Sequence, residues 1–201
     1  MATKTKEKRE KLRESLIDAA EEQIADVGLR GLKARDVTSA AGCSLGALYN
    51  VVDDLDHLVI LVNSRTLKRL GQAVSETVEP DATPAEALLS LALSYTDFAQ
   101  NNPKLWSALF THRLPDGVET PEWHRDEHSV LVEQIMQPLA ELRPDLDAEM
   151  LKHRAFTLFA AVHGVVQLSF HERHIGHPAD ILKPEITALV ETLAKGTPLV
   201  S

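Results

Sequence analysis

The stretch "AAGCSLGALYN", residues 40–50, sets two glycines around one very short apolar segment. Glycine inside a helix costs about 1 kcal/mol relative to alanine, because its backbone loses more freedom on folding. Gly42 suits a helix stop and Ser44 a helix N-cap, so one helix closes at Ala41 and another runs from Ser44 to about Asn50. Gly46, inside that second helix, has no punctuating role. Leu48 and Val52 lie four residues apart and can face a core, while Leu45, Gly46, Tyr49 and Asn50 fall on the other side. Two reasons for Gly46 stand side by side. It relieves crowding between packed helices, or it thins a surface that must approach something outside the chain. A major groove admits a helix only when the side chains between backbone and bases are small, which Gly46 and Ala47 satisfy.

Outward from this stretch the signals are all helical. Leu12, Leu16, Ile17, Ala20, Ile24 and Val27 recur at helical spacing ahead of Gly28, predicting a first helix over Lys6–Val27. Lys33–Ala41 makes a short second one, and with the third it has helix-turn-helix spacing. Asp53 or Asp54 caps a fourth helix from Leu55 to Val78. Thr83, Pro84 and Glu86 restart the chain as a fifth helix reaching Asn101. "NNPKLWSALFTHRL" (101–114) predicts a short helix, "LPDGVETP" (114–121) a loop, and Glu122–Leu142 a helix that Pro138 kinks or shortens. A long apolar helix over Asp147–His174 and a last one over Pro184–Lys195 follow. With no strand-like alternation or internal repeat, the fold class is all-α: a helix-turn-helix domain over 1–70, the fourth helix continuing to about 79 as connector, and a second helical domain over 80–201.

Composition narrows the functional classes. The chain has 201 residues, and 21 Lys+Arg against 30 Asp+Glu give a net charge of −9. That charge is unevenly spread: Lys4, Lys6, Lys8, Arg9, Lys11 and Arg13 crowd the first 13 residues beside only Glu7 and Glu10. The end is either a solvated, frayed terminus or an arm that neutralises phosphates. Apolar runs such as Leu58–Val62 are too short for a bilayer and the start lacks a signal-peptide core, so no membrane association and a cytoplasmic location are expected. The single cysteine, Cys43, excludes an internal disulfide or a CxxC pair and reads as a small buried side chain.

The segment "LRESLIDAAEEQIADVGLRGLKARDVTSAAGCSLGALYN" (12–50) resembles the N-terminal domain of tetracycline-repressor (TetR) family regulators. Ile17-Asp18-Ala19-Ala20, Gly28, Val37, Ala41-Gly42-Cys43-Ser44, Gly46 and Leu48-Tyr49 carry the resemblance, which spans about Lys8 to Leu70. It implies that Arg35 and the exposed start of the third helix meet bases and that Tyr49 meets the phosphate backbone. Tyr49 suits this because its hydroxyl can donate to phosphate while its ring packs on the domain. The expected DNA-binding residues are Lys33, Arg35, Ser44, Leu45, Gly46, Ala47, Tyr49 and Asn50. Lys33-Ala34 stand where the family usually has Thr or Ser, Val52 where it has an aromatic, and Leu55 where it has a phosphate-directed lysine. Asp53, Asp54 and Asp56 flank Leu55, so the basic arm is expected to compensate.

"NNPKLWSALF" (101–110), "PEWHRDEH" (121–128) and "VHGVVQLSF" (162–170) resemble the C-terminal domain of the WHG subgroup, with Val162 replacing the naming tryptophan. That resemblance implies an effector pocket among the central helices and a homodimer through the last two long helices. Trp106, Phe110, Trp123, Phe156, Phe159, His163 and Gln167 are the candidate ligand-binding residues, the alternative being a plain packed core. "HRDEH" also fits the inverted zincin pattern, in which His124 and His128 would bind zinc and Glu127 would activate water. "HERH" (171–174) with His177 is a second histidine cluster, or a solvated helix end. The combined expectation is a homodimeric repressor that leaves a palindromic double-stranded operator when a small-molecule effector binds, without cofactor, metal or enzymatic activity. The alternatives are a zinc-dependent hydrolase and a DNA-binding adaptor without ligand.

Overall fold

The computed structural model describes residues 2–170 and 178–195. Among these residues there are no strands, and the helices are α1 (Ala2–Val27), α2 (Ala34–Ala40), α3 (Leu45–Tyr49), α4 (Leu55–Ser75), α5 (Pro84–Asn101), α6 (Pro103–Thr111), α7 (Glu122–Leu142), α8 (Ala148–Ser169) and α9 (Ala179–Lys195), with a 3-10 turn at Leu29–Gly31. The fold class is all-α, as the sequence predicts.

Most boundaries have a local cause. α1 ends because Gly28 turns to φ 76°, where a side chain would be strained. Ser44 Oγ accepts from the Ala47 amide at 3.2 Å, Asp54 Oδ1 from the His57 amide at 2.6 Å and Asp147 Oδ1 from the Met150 amide at 2.8 Å. At α5, Glu86 Oε2 accepts from the Thr83 amide at 2.8 Å while the Thr83 hydroxyl accepts from the Glu86 amide at 3.4 Å, a reciprocal capping box. α2 is capped from a distance. Gln23 Oε1 accepts from the Lys33 amide at 3.1 Å and Gln23 Nε2 donates to Asp36 at 3.2 Å, so a side chain of α1 does what Lys33 cannot.

Several ends differ from expectation. α1 begins at Ala2 rather than Lys6, one further turn that includes the good helix formers Ala2 and Lys4. α4 stops at Ser75, and α9 starts at Ala179 with Pro184 inside it. Pro138 does not shorten α7, which continues to Leu142 with Leu131 and Leu139 buried on either side of the proline. The end expected for α8 at His174 lies outside the described residues.

The described residues form two compact units, and these do not follow chain order. Met1–Lys68 pack with Asn102–His124, and Arg69–Asn101 with Arg125–Ser201. In the first unit Leu16, Ile17, Ala20 and Ile24 of α1 meet Val37 of α2, Leu48 of α3, Leu58, Val59 and Val62 of α4, and Leu105 and Ala108 of α6. Each of these Leu, Ile and Val side chains contributes roughly 1.5–3 kcal/mol by leaving water. α6 belongs there because its apolar face completes that core. Asn63 Nδ2 donates to the Ala108 carbonyl at 3.3 Å, and Lys104 donates to the Asp26 carbonyl. Arg65 of α4 grips α1 at three carboxylates: Glu14 at 2.6 Å, Asp18 at 2.5 Å and Glu21 at 3.3 Å. In the second unit α5, α8 and α9 pack together, and Lys183 of α9 pairs with Asp97 of α5 at 2.5 Å.

Candidate nucleic-acid interface and effector cavity

α3 is a five-residue helix held from below. Leu48 is fully buried and Val52 is nearly so, while Leu45, Gly46, Tyr49 and Asn50 are exposed and Ala47 is half-buried. Among the described residues, a Cβ placed on Gly46 would meet nothing nearer than Ser44 Oγ, 4.0 Å away. Nor does Gly46 adopt the left-handed backbone that Gly42 uses, at φ 66°, to turn from α2 into α3. Crowding within the chain therefore does not require Gly46. Ser44, Leu45, Gly46, Ala47, Tyr49 and Asn50 share this short rod, and Lys33 and Arg35 are exposed at the start of α2. Cys43, in the turn, is half-buried, and burial pushes its thiol pKa up.

The acids at the start of α4 are occupied within their own unit. Asp53 Oδ2 lies 3.1 Å from His57 Nδ1, Asp54 caps the helix, and Asp56 Oδ1 lies 2.9 Å from His112 Nε2. Lys6, Lys8, Arg9 and Lys11 are exposed along the first turns of α1. The basic segment is thus a helical extension.

The second unit holds an apolar cavity with about 410 Å³ of empty space, part of it open to solvent. Its wall comes from Val74 of α4, Leu88, Leu91, Ala92 and Tyr95 of α5, Leu131 and Ile135 of α7, Leu158, Phe159 and Val162 of α8, and Val190 of α9. Tyr95 Oη lies 2.8 Å from His163 Nδ1, and Phe159 stacks on the imidazole at 5.8 Å between centroids and meets Tyr95 edge-on at 5.7 Å. Burial pushes the His163 pKa below the usual 6.5, so the imidazole is neutral near pH 7.

The structure disperses the seven aromatic and polar candidates for the ligand site. Phe159 lines the cavity, and His163 stands behind it through Tyr95. Gln167 is half-buried one turn further along α8. Trp106 is fully buried in the other unit, with Phe110 at 5.3 Å between centroids. Trp123 also belongs to that unit and is 44% exposed, whereas Phe156 is 60% exposed on α8. Tyr95 lies outside the set that the sequence predicts. Its signal was available, since Leu88, Leu91, Ala92 and Tyr95 form an apolar stripe on α5 interrupted by one hydroxyl. Of the zinc pattern, His124 is buried with its ring 5.5 Å from Trp123, while the side chains of Asp126 and His128 and all of residues 171–177 lie outside the described set. Among the described residues, no three His, Cys, Asp or Glu side chains gather as a metal site. No described helix is long and apolar enough to cross a membrane.

Residues 88–193, more than half of the chain, match the family described as "Tetracyclin repressor-like, C-terminal domain". The chain belongs to the TetR-like family. An uncharacterised HTH-type transcriptional regulator of Mycobacterium tuberculosis (strain H37Rv) is 29% identical over 104 residues, 52% of each chain. The match thus spans about half the length of this curated relative. A protein of unknown function from Rhodococcus sp. RHA1 has the same fold, with a TM-score of 0.73 and 21% identity over 92% of this chain and 94% of that one. The regulator FadR from Bacillus subtilis, solved in complex with stearoyl-CoA, superposes with a TM-score of 0.70 and 16% identity over 92% and 98% of the two chains. These neighbours establish that the TetR-like fold extends across both units of the chain.

Proposed function

We propose that this protein is a ligand-responsive DNA-binding transcriptional regulator, acting as a homodimeric repressor that a small molecule releases from a palindromic operator. The observation that carries the reading is the empty space opposite Gly46. A helix that gives up about 1 kcal/mol of propensity, with nothing inside the chain to accommodate, is shaped for a partner that comes close to its backbone. Leu45, Ala47 and Asn50 would reach base edges with Arg35, while Ser44, Lys33 and the Tyr49 hydroxyl would hold phosphates. The exposed lysines of α1 would add the counterion-releasing contacts that Leu55, in place of a lysine, does not make.

Dimerisation is supported by α8, where Phe156, Ala160, Gly164 and Leu168 recur every fourth residue. Phe156 and Leu168 are each 60% exposed, and a Cβ on Gly164 would meet nothing within 4 Å. Two-fold pairing of such faces would set two reading helices on successive turns of a palindrome. The cavity supports effector control, and FadR, a neighbour in fold, was solved holding stearoyl-CoA. α4 is the covalent route between the two activities, since Leu58 and Val62 lie in the core under α3 and Val74 lines the cavity. An effector acts only by favouring one conformation over another.

The test is fluorescence anisotropy with DNA from upstream of the protein's own coding sequence. Gly46→Leu, which raises helix propensity, should leave the melting temperature no lower and weaken this binding by about 10–100-fold, the size expected when one or two base pairs are no longer read. Undiminished binding by Gly46→Leu would refute the assignment of α3 as the reading element.

A further inference from the structure

The chemistry of the cavity wall restricts what it accepts. Among the described residues, its lining includes no charged side chain and a single hydroxyl, that of Tyr95. Behind that hydroxyl stands His163, an imidazole kept neutral by burial, with Phe159 stacked on its face. A carboxylate, phosphate or ammonium placed against this lining would lose its hydration shell without meeting an opposite charge in it, which strongly disfavours binding. A neutral polar atom loses far less, and a hydroxyl or carbonyl can exchange hydrogen bonds with a tyrosine hydroxyl, which both donates and accepts. The enclosed volume is only about 30 Å³, the 410 Å³ of empty space including room open to solvent, so an occupant must be slender and must part the wall side chains as it enters.

We infer that the effector is a small, uncharged, mainly aliphatic molecule carrying one neutral oxygen function, such as an alcohol, ketone or ester, which meets the Tyr95 hydroxyl while its chain lies against Leu88, Leu91, Leu158 and Val162. This rests on the reading of the second unit as the effector domain and narrows it to a ligand class. Free anionic fatty acids and amines are excluded from it.

Isothermal titration of the full-length protein at pH 7.5 with 1-octanol, octanoate and octylammonium separates the classes, because the three probes share one chain and differ in charge. 1-Octanol should bind at least ten-fold more tightly than either ion. Tyr95→Phe keeps the ring and should weaken 1-octanol about five-fold, the size of one neutral hydrogen bond, without changing the affinity for 1-chlorooctane. Ala92→Leu, filling the cavity, should weaken both neutral probes. Comparable or tighter binding of an ion, no binding of 1-octanol, or an unchanged 1-octanol affinity in Tyr95→Phe would overturn the inference. Binding of upstream DNA by the ligand-free protein is measured alongside. DNA binding without alcohol binding defeats the ligand class alone, while alcohol binding without DNA binding upholds that class and defeats the regulator reading.

Discussion

α3 and α8 each present a glycine to empty space, yet the surfaces around the two glycines are opposite in character. On α3, Ser44, Tyr49 and Asn50 stand with Leu45 around Gly46; around Gly164 stand Ala160, Leu168 and, two turns back, Phe156. Removing a Cβ allows closer approach in both places, and the neighbouring side chains decide what approaches. A polar rim suits an object with charged ridges and hydrogen-bonding edges, whereas an apolar stripe in water suits another apolar stripe. The same backbone economy is therefore read in two ways, and its meaning lies in the residues three and four positions away.

The comparison breaks most visibly on α8. Phe156→Glu combined with Leu168→Glu should turn a dimer into a monomer by light scattering. Operator affinity should then fall about 100-fold or more, because a monomer cannot engage the second half-site as an intramolecular event. A monomeric wild-type protein would break the comparison at once. Arg35→Ala sharpens it on the α3 side, with an expected loss of roughly 1–3 kcal/mol in operator binding and no change in oligomeric state. Removing residues 1–8 should lower affinity less and flatten the salt dependence by about 0.9 in slope for each phosphate that the arm neutralises; an unchanged slope excludes the arm from the interface.

The remaining effects are smaller. Ser44→Ala removes the cap of α3 and should cost about 1 kcal/mol in denaturant unfolding. His163 yields a pH signature. Its pKa is depressed on folding, so as pH falls below the usual 6.5 the unfolded chain takes up a proton before the folded one does. Stability should therefore decline from about pH 6.5 downward, and His163→Gln should flatten that decline in chemical denaturation curves.

What could be read in the sequence was what local rules determine. Ser44, Thr83 with Glu86, and Asp147 cap helices through side chains that reach an amide three residues on, and Gly28 and Gly42 stop helices through their own φ. The buried side of α3 is legible for the same reason, since Leu48 and Val52, four residues apart, are the side chains that turn inward. The cap of α2 was not, because Gln23 supplies it from ten residues away. The cavity was less legible still. Tyr95 and His163 are 68 positions apart, and nothing in either segment names the other. Trp106 shows the limit clearly: its spacing on an amphipathic helix predicts burial, but only tertiary packing decides that it is buried in the first unit and not against the cavity.

Arg65 has a mechanical consequence. One guanidinium fastened to Glu14, Asp18 and Glu21 spans two turns of α1, so α1 and α4 cannot slide or roll past each other without breaking several ties together. The headpiece is latched as a rigid carriage. Any displacement of this part of α4 must steer the whole carriage, because the latch leaves no slack between α1 and α4.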